Sequence, residues 1–175
     1  MLTTDDDALA EKVRFLRDHA MSPVKRYWHT EIGYNYRITN LQAAVGVAQM
    51  ERIEEFIARK RWIAQTYNDG LRGVRGITLP PEASWAKSVY WMYSVLFTDD
   101  FPISRDEVGV RLKQQNIDSR RFFYPIHVMP PYQADLDLPN SVYLGQHGIN
   151  LPSAATLTEE DIIRGVAAIS ALSQG

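Results

Sequence analysis

The segment Gly33-Tyr34-Asn35-Tyr36-Arg37-Ile38-Thr39-Asn40-Leu41-Gln42-Ala43-Ala44 carries an aromatic loop into a helix. Thr39 and Gln42 make a Thr-x-x-Gln capping box, in which two side chains satisfy two backbone N–H groups and fix where the helix begins. Downstream, Leu41, Val45, Ala48, Ile53, Phe56, Ile57, Ile63 and Tyr67 form an apolar stripe, and Gly70 and Gly73 supply the stop. One long helix is therefore expected over residues 40–71. Upstream, residues 4–17 read as a helix, with Asp5, Asp6 and Asp7 in its first turn and Leu9, Val13 and Leu16 at helical spacing. Residues 22–38 between them form a loop holding Tyr27, Trp28, His29, Tyr34 and Tyr36. Loops run over the surface, so one this aromatic packs against something or binds something.

Beyond Gly73 the pattern changes. Residues 77–79 read as a short strand stopped by Pro80 and Pro81, and the aromatic, β-branched run 89–97 as a longer one. Ser104-x-x-Glu107 reads as another capping box, opening a helix through Val108 and Leu112; 117–123 reads as a strand and 124–139 is Pro-rich and irregular. A short helix over 142–148, a short strand over 149–151 and a last helix opened by Thr158-x-x-Asp161 complete the chain. The expected class is α/β (α+β), a long helix leading into a small, mostly antiparallel sheet with helices, with the internal boundary at 72/73.

Composition narrows the functions. With 175 residues the chain is long enough for one ordinary domain with a real core. A net charge of -2 leaves no basic footprint for nucleic acid, and the absence of cysteine removes disulfides, thiolate metal sites and cysteine nucleophiles. Apolar segments are short and broken by charges, so no membrane span is expected. The start, Met1-Leu2-Thr3-Thr4-Asp5-Asp6-Asp7, lacks a basic region and an apolar run, so a cytoplasmic location is expected.

Three clusters bear chemistry. The first is the opening segment. A helix start offers unpaired N–H groups and a positive dipole end, so Asn35 and Arg37 beside it suit a phosphate; equally, Arg37 pairs with a carboxylate and Asn35 caps a turn. The second is Arg120-Arg121-Phe122-Phe123-Tyr124-Pro125-Ile126-His127. Arginine forks suit diphosphates, aromatic faces suit a sugar or base, and His127 suits a hydroxyl; the alternative is a basic strand end with core aromatics. The third, Arg26-Tyr27-Trp28-His29, is a ligand rim or a subunit interface. The histidines show no metal spacing, so no metal site is expected.

These stretches, taken in order, resemble one family. Met1-Leu2-Thr3-Thr4-Asp5-Asp6, Lys12 through His19, Tyr27-Trp28-His29 and the opening segment are similar to the DegT/StrS-type sugar-nucleotide aminotransferases. So are Val89-Tyr90-Trp91-Met92-Tyr93, Phe122 through His127, and Leu151-Pro152-Ser153 with Leu157-Thr158-Glu159-Glu160-Asp161. The look is nearest to the perosamine synthase-like branch. The resemblance implies the C-terminal portion of a fold type I transferase dependent on pyridoxal phosphate (PLP). Residues 1–72 would be the tail of the large domain and the connecting helix, and 73–175 a small C-terminal α/β domain.

It further implies a homodimer, glutamate as amino donor and a nucleotide-linked 4-keto-6-deoxy sugar as acceptor. Asn35 matches the asparagine that reaches the cofactor phosphate, with Arg37 its companion. Tyr124 and His127 match the substrate-side motif, and Arg120 belongs with them. Arg121 stands where the family often has proline, and Ala154-Ala155 replace a Gly/Pro-rich turn. Met1 matches a methionine just after the Schiff-base lysine, so that lysine would precede residue 1, leaving no catalytic residue in this chain. The chain's own lysines, Lys12, Lys25, Lys60, Lys87 and Lys113, occupy charged or loop-like contexts, none of which reads as desolvated. The chain alone is therefore expected to be inactive and without PLP. The alternative reading is a non-catalytic dimerisation or regulatory remnant of such an enzyme.

Overall fold

The computed structural model describes residues 2–174, so the expected match at Met1 lies outside the described residues. The chain divides into two compact units, 1–52 and 53–175. In the first, α1 (Asp7–Leu16) is capped by Asp6, whose side chain accepts from Leu9 N–H, and α2 (Asn40–Met50) by the Thr39/Gln42 capping box read from the sequence. Among the described residues of this unit, Ala20 is the buried apolar one. Helix α2 carries no charged side chain and buries none of its described residues; Leu41 is 82% exposed.

The single helix expected over 40–71 is two. It stops at Met50 and resumes as α3 (Ile53–Leu71) after a turn at Glu51-Arg52. No glycine or proline marks the turn, and Glu51 keeps right-handed helical angles, so hydrophobic periodicity runs through it unbroken. Charge chemistry places the restart: Glu54 and Glu55 in the first turn of α3 favour the positive end of a new helix dipole. The second half belongs to the C-terminal unit, because Ile63, Ala64, Tyr67 and Leu71 lie in its core. The compact units accordingly divide at 52/53, where the sequence reading drew 72/73.

The second unit is built on four strands: β1 (Ile77–Thr78), β2 (Tyr93–Phe97), β3 (Arg120–Arg121) and β4 (Gly148–Leu151). Their spatial order is β1-β2-β4-β3, and every pairing is antiparallel. Tyr93, Val95 and Phe97 alternate onto the buried face of β2, the pattern of a half-covered strand. Three helices supply the apolar residues that pack with them: Ile63, Tyr67 and Leu71 of α3, Val108 and Leu112 of α4 (Arg105–Gln114), and Ile162 and Ile169 of α6 (Glu159–Leu172). Tyr67 and Tyr93 stack at 4.7 Å, and the Tyr93 hydroxyl donates to Asn68 Oδ1 at 2.7 Å. The expected small antiparallel sheet with helices is therefore present, and the class is α/β.

Element ends differ where side chains compete. Strand β2 starts at Tyr93, four residues late, because residues 82–90 are clasped elsewhere. Arg61 takes both Glu82 oxygens (2.6 and 3.1 Å) and the Ser88 carbonyl, and Tyr90 adopts a left-handed φ of 44°. Ser104 caps α4, but Glu107 does not close the box; its carboxylate pairs with Arg111 at 2.7 Å. The strand expected over 117–123 shrinks to Arg120–Arg121, and α5 spans Pro139–His147. The turn carrying Ala154-Ala155 is held by α3: Arg59 donates to the carbonyls of Ala155 and Leu157, and Lys60 to that of Ser153.

Candidate functional site

The first unit presents the Asn35/Arg37 segment. Gly33 lets it approach α1: a Cβ there would lie 2.2 Å from the Ala20 nitrogen. The segment then covers the end of α1, where carbonyls lack helical partners. Tyr34 N–H donates to Leu16 O at 2.7 Å and Tyr36 N–H to Arg17 O at 2.9 Å, while His19 N–H donates to Tyr34 O at 2.9 Å. Tyr34 and Tyr36 stack at 5.2 Å on one side of the extended chain. Alternation then gives Asn35 and Arg37 the other side.

Arg37 Nη1 donates to Asp18 Oδ2 at 3.0 Å, so the carboxylate pairing weighed from the sequence is present, with the guanidinium still largely exposed. The capping box uses the N–H groups of Thr39 and Gln42 and leaves those of Asn40 and Leu41 outside it. Leu2, Val13, Arg17, Tyr36, Arg37 and Ile38 border an open hollow of about 790 Å³. The Arg26-Tyr27-Trp28-His29 cluster makes local contacts: Lys25 lies over the Trp28 ring at 3.9 Å and Arg26 over Tyr27 at 4.8 Å.

The second unit presents Arg120, Tyr124 and His127, and separates them. Tyr124 and His127, on the irregular run after β3, line one groove of about 340 Å³ with Phe123, Pro125 and Leu144. Arg120 pairs with Asn150 across the β3–β4 ladder and borders a different hollow of about 310 Å³, beside Met92, Ser119 and Ser153. Asn150 is buried and accepts from Ser94 Oγ at 2.6 Å, so Arg120 emerges from a satisfied strand pair. Strand alternation turns Arg121 to the opposite side, where it lines a third hollow with Arg105, Asp106 and Lys113. Sequence reasoning grouped Arg121 with Arg120 as a fork for a diphosphate and marked it as a departure from the family's proline. Arg121 Nη1 donates to the Tyr124 hydroxyl three residues on, at 2.8 Å, and the fold brings Asp106 of α4 to 3.5 Å from its Nη2, the part that spacing could not show.

The lysines need one correction. Lys60, read as an ordinary charged helix residue, donates to the carbonyls of Trp91 and Ser153, and burial lowers its pKa. Two backbone acceptors occupy its ammonium, so it is a structural clamp. The other strongly perturbed groups also serve structure. Arg61 and then the Ser88 N–H hold Glu82 down at about 2, and burial, with Asp161 adding, raises Tyr67 to about 12. Among the described residues no His/Asp/Glu cluster is placed to hold a metal, and no helix is long and apolar enough to cross a membrane.

The α/β fold agrees with what solved structures show. Residues 1–170 match the model of the DegT/DnrJ/EryC1/StrS aminotransferase family, and the chain belongs to that family. It is 42% identical over 172 residues to GDP-perosamine synthase of Caulobacter vibrioides, covering 97% of this chain and 46% of that protein. It is 36% identical over 165 residues to the GDP-perosamine synthase of Vibrio cholerae, covering 93% of this chain and 45% of that one. The crystal structure of S. venezuelae DesV in complex with a ketimine intermediate superposes with a TM-score of 0.85 at 27% identity, over 99% of this chain and 46% of DesV. The chain thus spans about half the length of the relatives it matches.

Proposed function

We propose that this chain supplies one part of a PLP-dependent aminotransferase that moves an amino group, with glutamate as donor, onto a 4-keto-6-deoxy sugar carried by a nucleotide. The supporting observation is family membership over residues 1–170 together with 42% identity to a protein named for GDP-perosamine. The amino-transfer chemistry belongs to the whole enzyme, and this chain by itself does not turn over.

The Asn35/Arg37 side of the helix mouth fits a phosphate group: an amide, a partly free guanidinium and two uncapped N–H groups face a ligand at a positive dipole end. Asp18 competes for the same guanidinium and keeps it in place until an anion arrives. PLP, when bound, supplies an electron sink for the amino carbon. The chain's own residues bind and orient. Asn35 and Arg37 hold the phosphate. Tyr124 and His127 hold sugar oxygens along their groove, and Arg120 reaches the diphosphate from its separate hollow. The same reading carries a homodimer in the cytoplasm.

The first test is chemical. The chain is incubated with PLP, reduced with borohydride and mapped by mass spectrometry; no pyridoxyl group is expected on any of its five lysines. A fixed group on Lys12, Lys25, Lys60, Lys87 or Lys113 overturns the inactive-part reading. A second reading, a dimerisation or regulatory remnant, is favoured by the uncovered apolar surface of α2. Light scattering after gel filtration tests the retained dimer contacts that this reading needs, since a monomer in solution removes the support for self-association.

A further inference from the structure

A line of alternating charge runs from the core of the second unit to its ligand groove. Arg105 is nine-tenths buried, its side chain 10% exposed, and its Nη1 donates to Gly148 O at 2.8 Å. Its Nε lies 2.8 Å from Asp106 Oδ1, outside hydrogen-bond geometry. The same Oδ1 lies 3.5 Å from Arg121 Nη2, and Arg121 Nη1 reaches the Tyr124 hydroxyl at 2.8 Å. Tyr124 in turn lines the groove that holds His127.

The direction of the last bond is fixed by chemistry. A guanidinium carries donors only and stays charged, so the Tyr124 oxygen accepts. A phenol has one proton. With Arg121 donating to its oxygen, that proton is left to point to a third group. We propose that Arg121, held by Asp106, is a positioning residue that sets the Tyr124 hydroxyl as a hydrogen-bond donor to an acceptor oxygen of the ligand in the Tyr124/His127 groove. The ligand class, an oxygen-rich sugar nucleotide, rests on the reading under Proposed function; the Asp106–Arg121–Tyr124 relay does not. Arg121 and Asp106 are each about half exposed, at 52% and 59%, so their pairing adds little to folding. Its effect is on direction: an arginine tethered at one nitrogen presents the other at a constant angle, and a free one does not.

The experiment has two readouts that fail separately. The chain is labelled with tyrosine carrying 13C at Cζ, and the Tyr124 signal is assigned by its loss in Tyr124→Phe. Without ligand, Arg121→Met is expected to move that signal, Asp106→Asn to move it the same way by less, and Arg121→Lys to restore it in part. Arg121 is exposed enough that these variants keep the fold, which circular dichroism verifies. An unmoved signal in Arg121→Met overturns the relay. Binding of GDP-mannose is then measured by calorimetry. Arg121→Met and Tyr124→Phe should each weaken it roughly five- to tenfold, and the double variant should be no weaker than Tyr124→Phe alone. Multiplying losses in the double variant overturn the coupling. Absence of GDP-mannose binding to the unaltered chain counts against the ligand class, while the Tyr124 signal still decides the relay.

Discussion

At the scale of single residues, the clearest energetic assignments lie around Glu82 and the Tyr67/Tyr93 stack. Glu82 receives both forks of Arg61 and the Ser88 N–H, and its carboxyl falls from 4.5 to about 2. A carboxylate lowered in the folded state binds protons less readily there than in the unfolded chain. Its contribution is therefore complete above about pH 4.5 and is lost as pH falls toward 2. Urea titrations from pH 6 to pH 2.5 should show the Glu82→Gln variant losing less stability across that window than the unaltered chain. Parallel curves would remove Glu82 from the account. In the core, Ile63 is fully buried among residues of β2, α4 and α6. Ile63→Ala should cost about 2–5 kcal/mol in chemical denaturation, the sum of lost transfer energy and the cavity left behind.

At the scale of elements, the helix starts were the most legible features because capping is local. Thr39/Gln42 and Thr158/Asp161 form complete boxes, as their spacing foretold. Thr158→Ala should cost about 1 kcal/mol of unfolding free energy, read from a lowered denaturant midpoint, since α6 packs into the core through Ile162 and Ile169. Gly76 marks another kind of constraint. It sits at φ 79°, and a Cβ there would lie 2.4 Å from the Phe101 backbone nitrogen. Gly76→Ala should destabilise by about 2 kcal/mol or more, combining a left-handed strain with a backbone clash. Strand starts were less legible, because β2 begins where the Arg61 clasp ends, and that clasp joins residues 21 to 27 positions apart. The break at Glu51-Arg52 was not legible at all. It has no glycine or proline, Glu51 keeps right-handed helical angles, and the apolar pattern of the sequence runs through it.

At the scale of the whole molecule, the two units differ in what they bury. Residues 53–175 close a continuous core, whereas α2 leaves Leu41, Val45, Val47 and Met50 in the open. An uncharged helix with apolar side chains on several sides belongs to a buried environment. Hydrogen exchange should therefore find slow amides in β2, β4 and α6 and fast ones throughout α2, and a chain of residues 53–175 should unfold cooperatively by itself. Fast exchange across β4 would contradict the assignment of the core. By itself the sequence determined the class, the family and the capping boxes at Thr39 and Thr158, and it nominated Asn35, Arg37, Arg120, Tyr124 and His127, because these rest on local spacing and on motif order. Only the tertiary structure decided that α3 belongs with the second unit, that Lys60 is a clamp, that Arg120 is separated from Tyr124 and His127, and that Arg121 serves Tyr124. The Lys60 clamp and the Asp106–Arg121 contact join residues far apart in the chain, and the Arg121–Tyr124 bond, though local, needs a side-chain direction that no spacing pattern specifies.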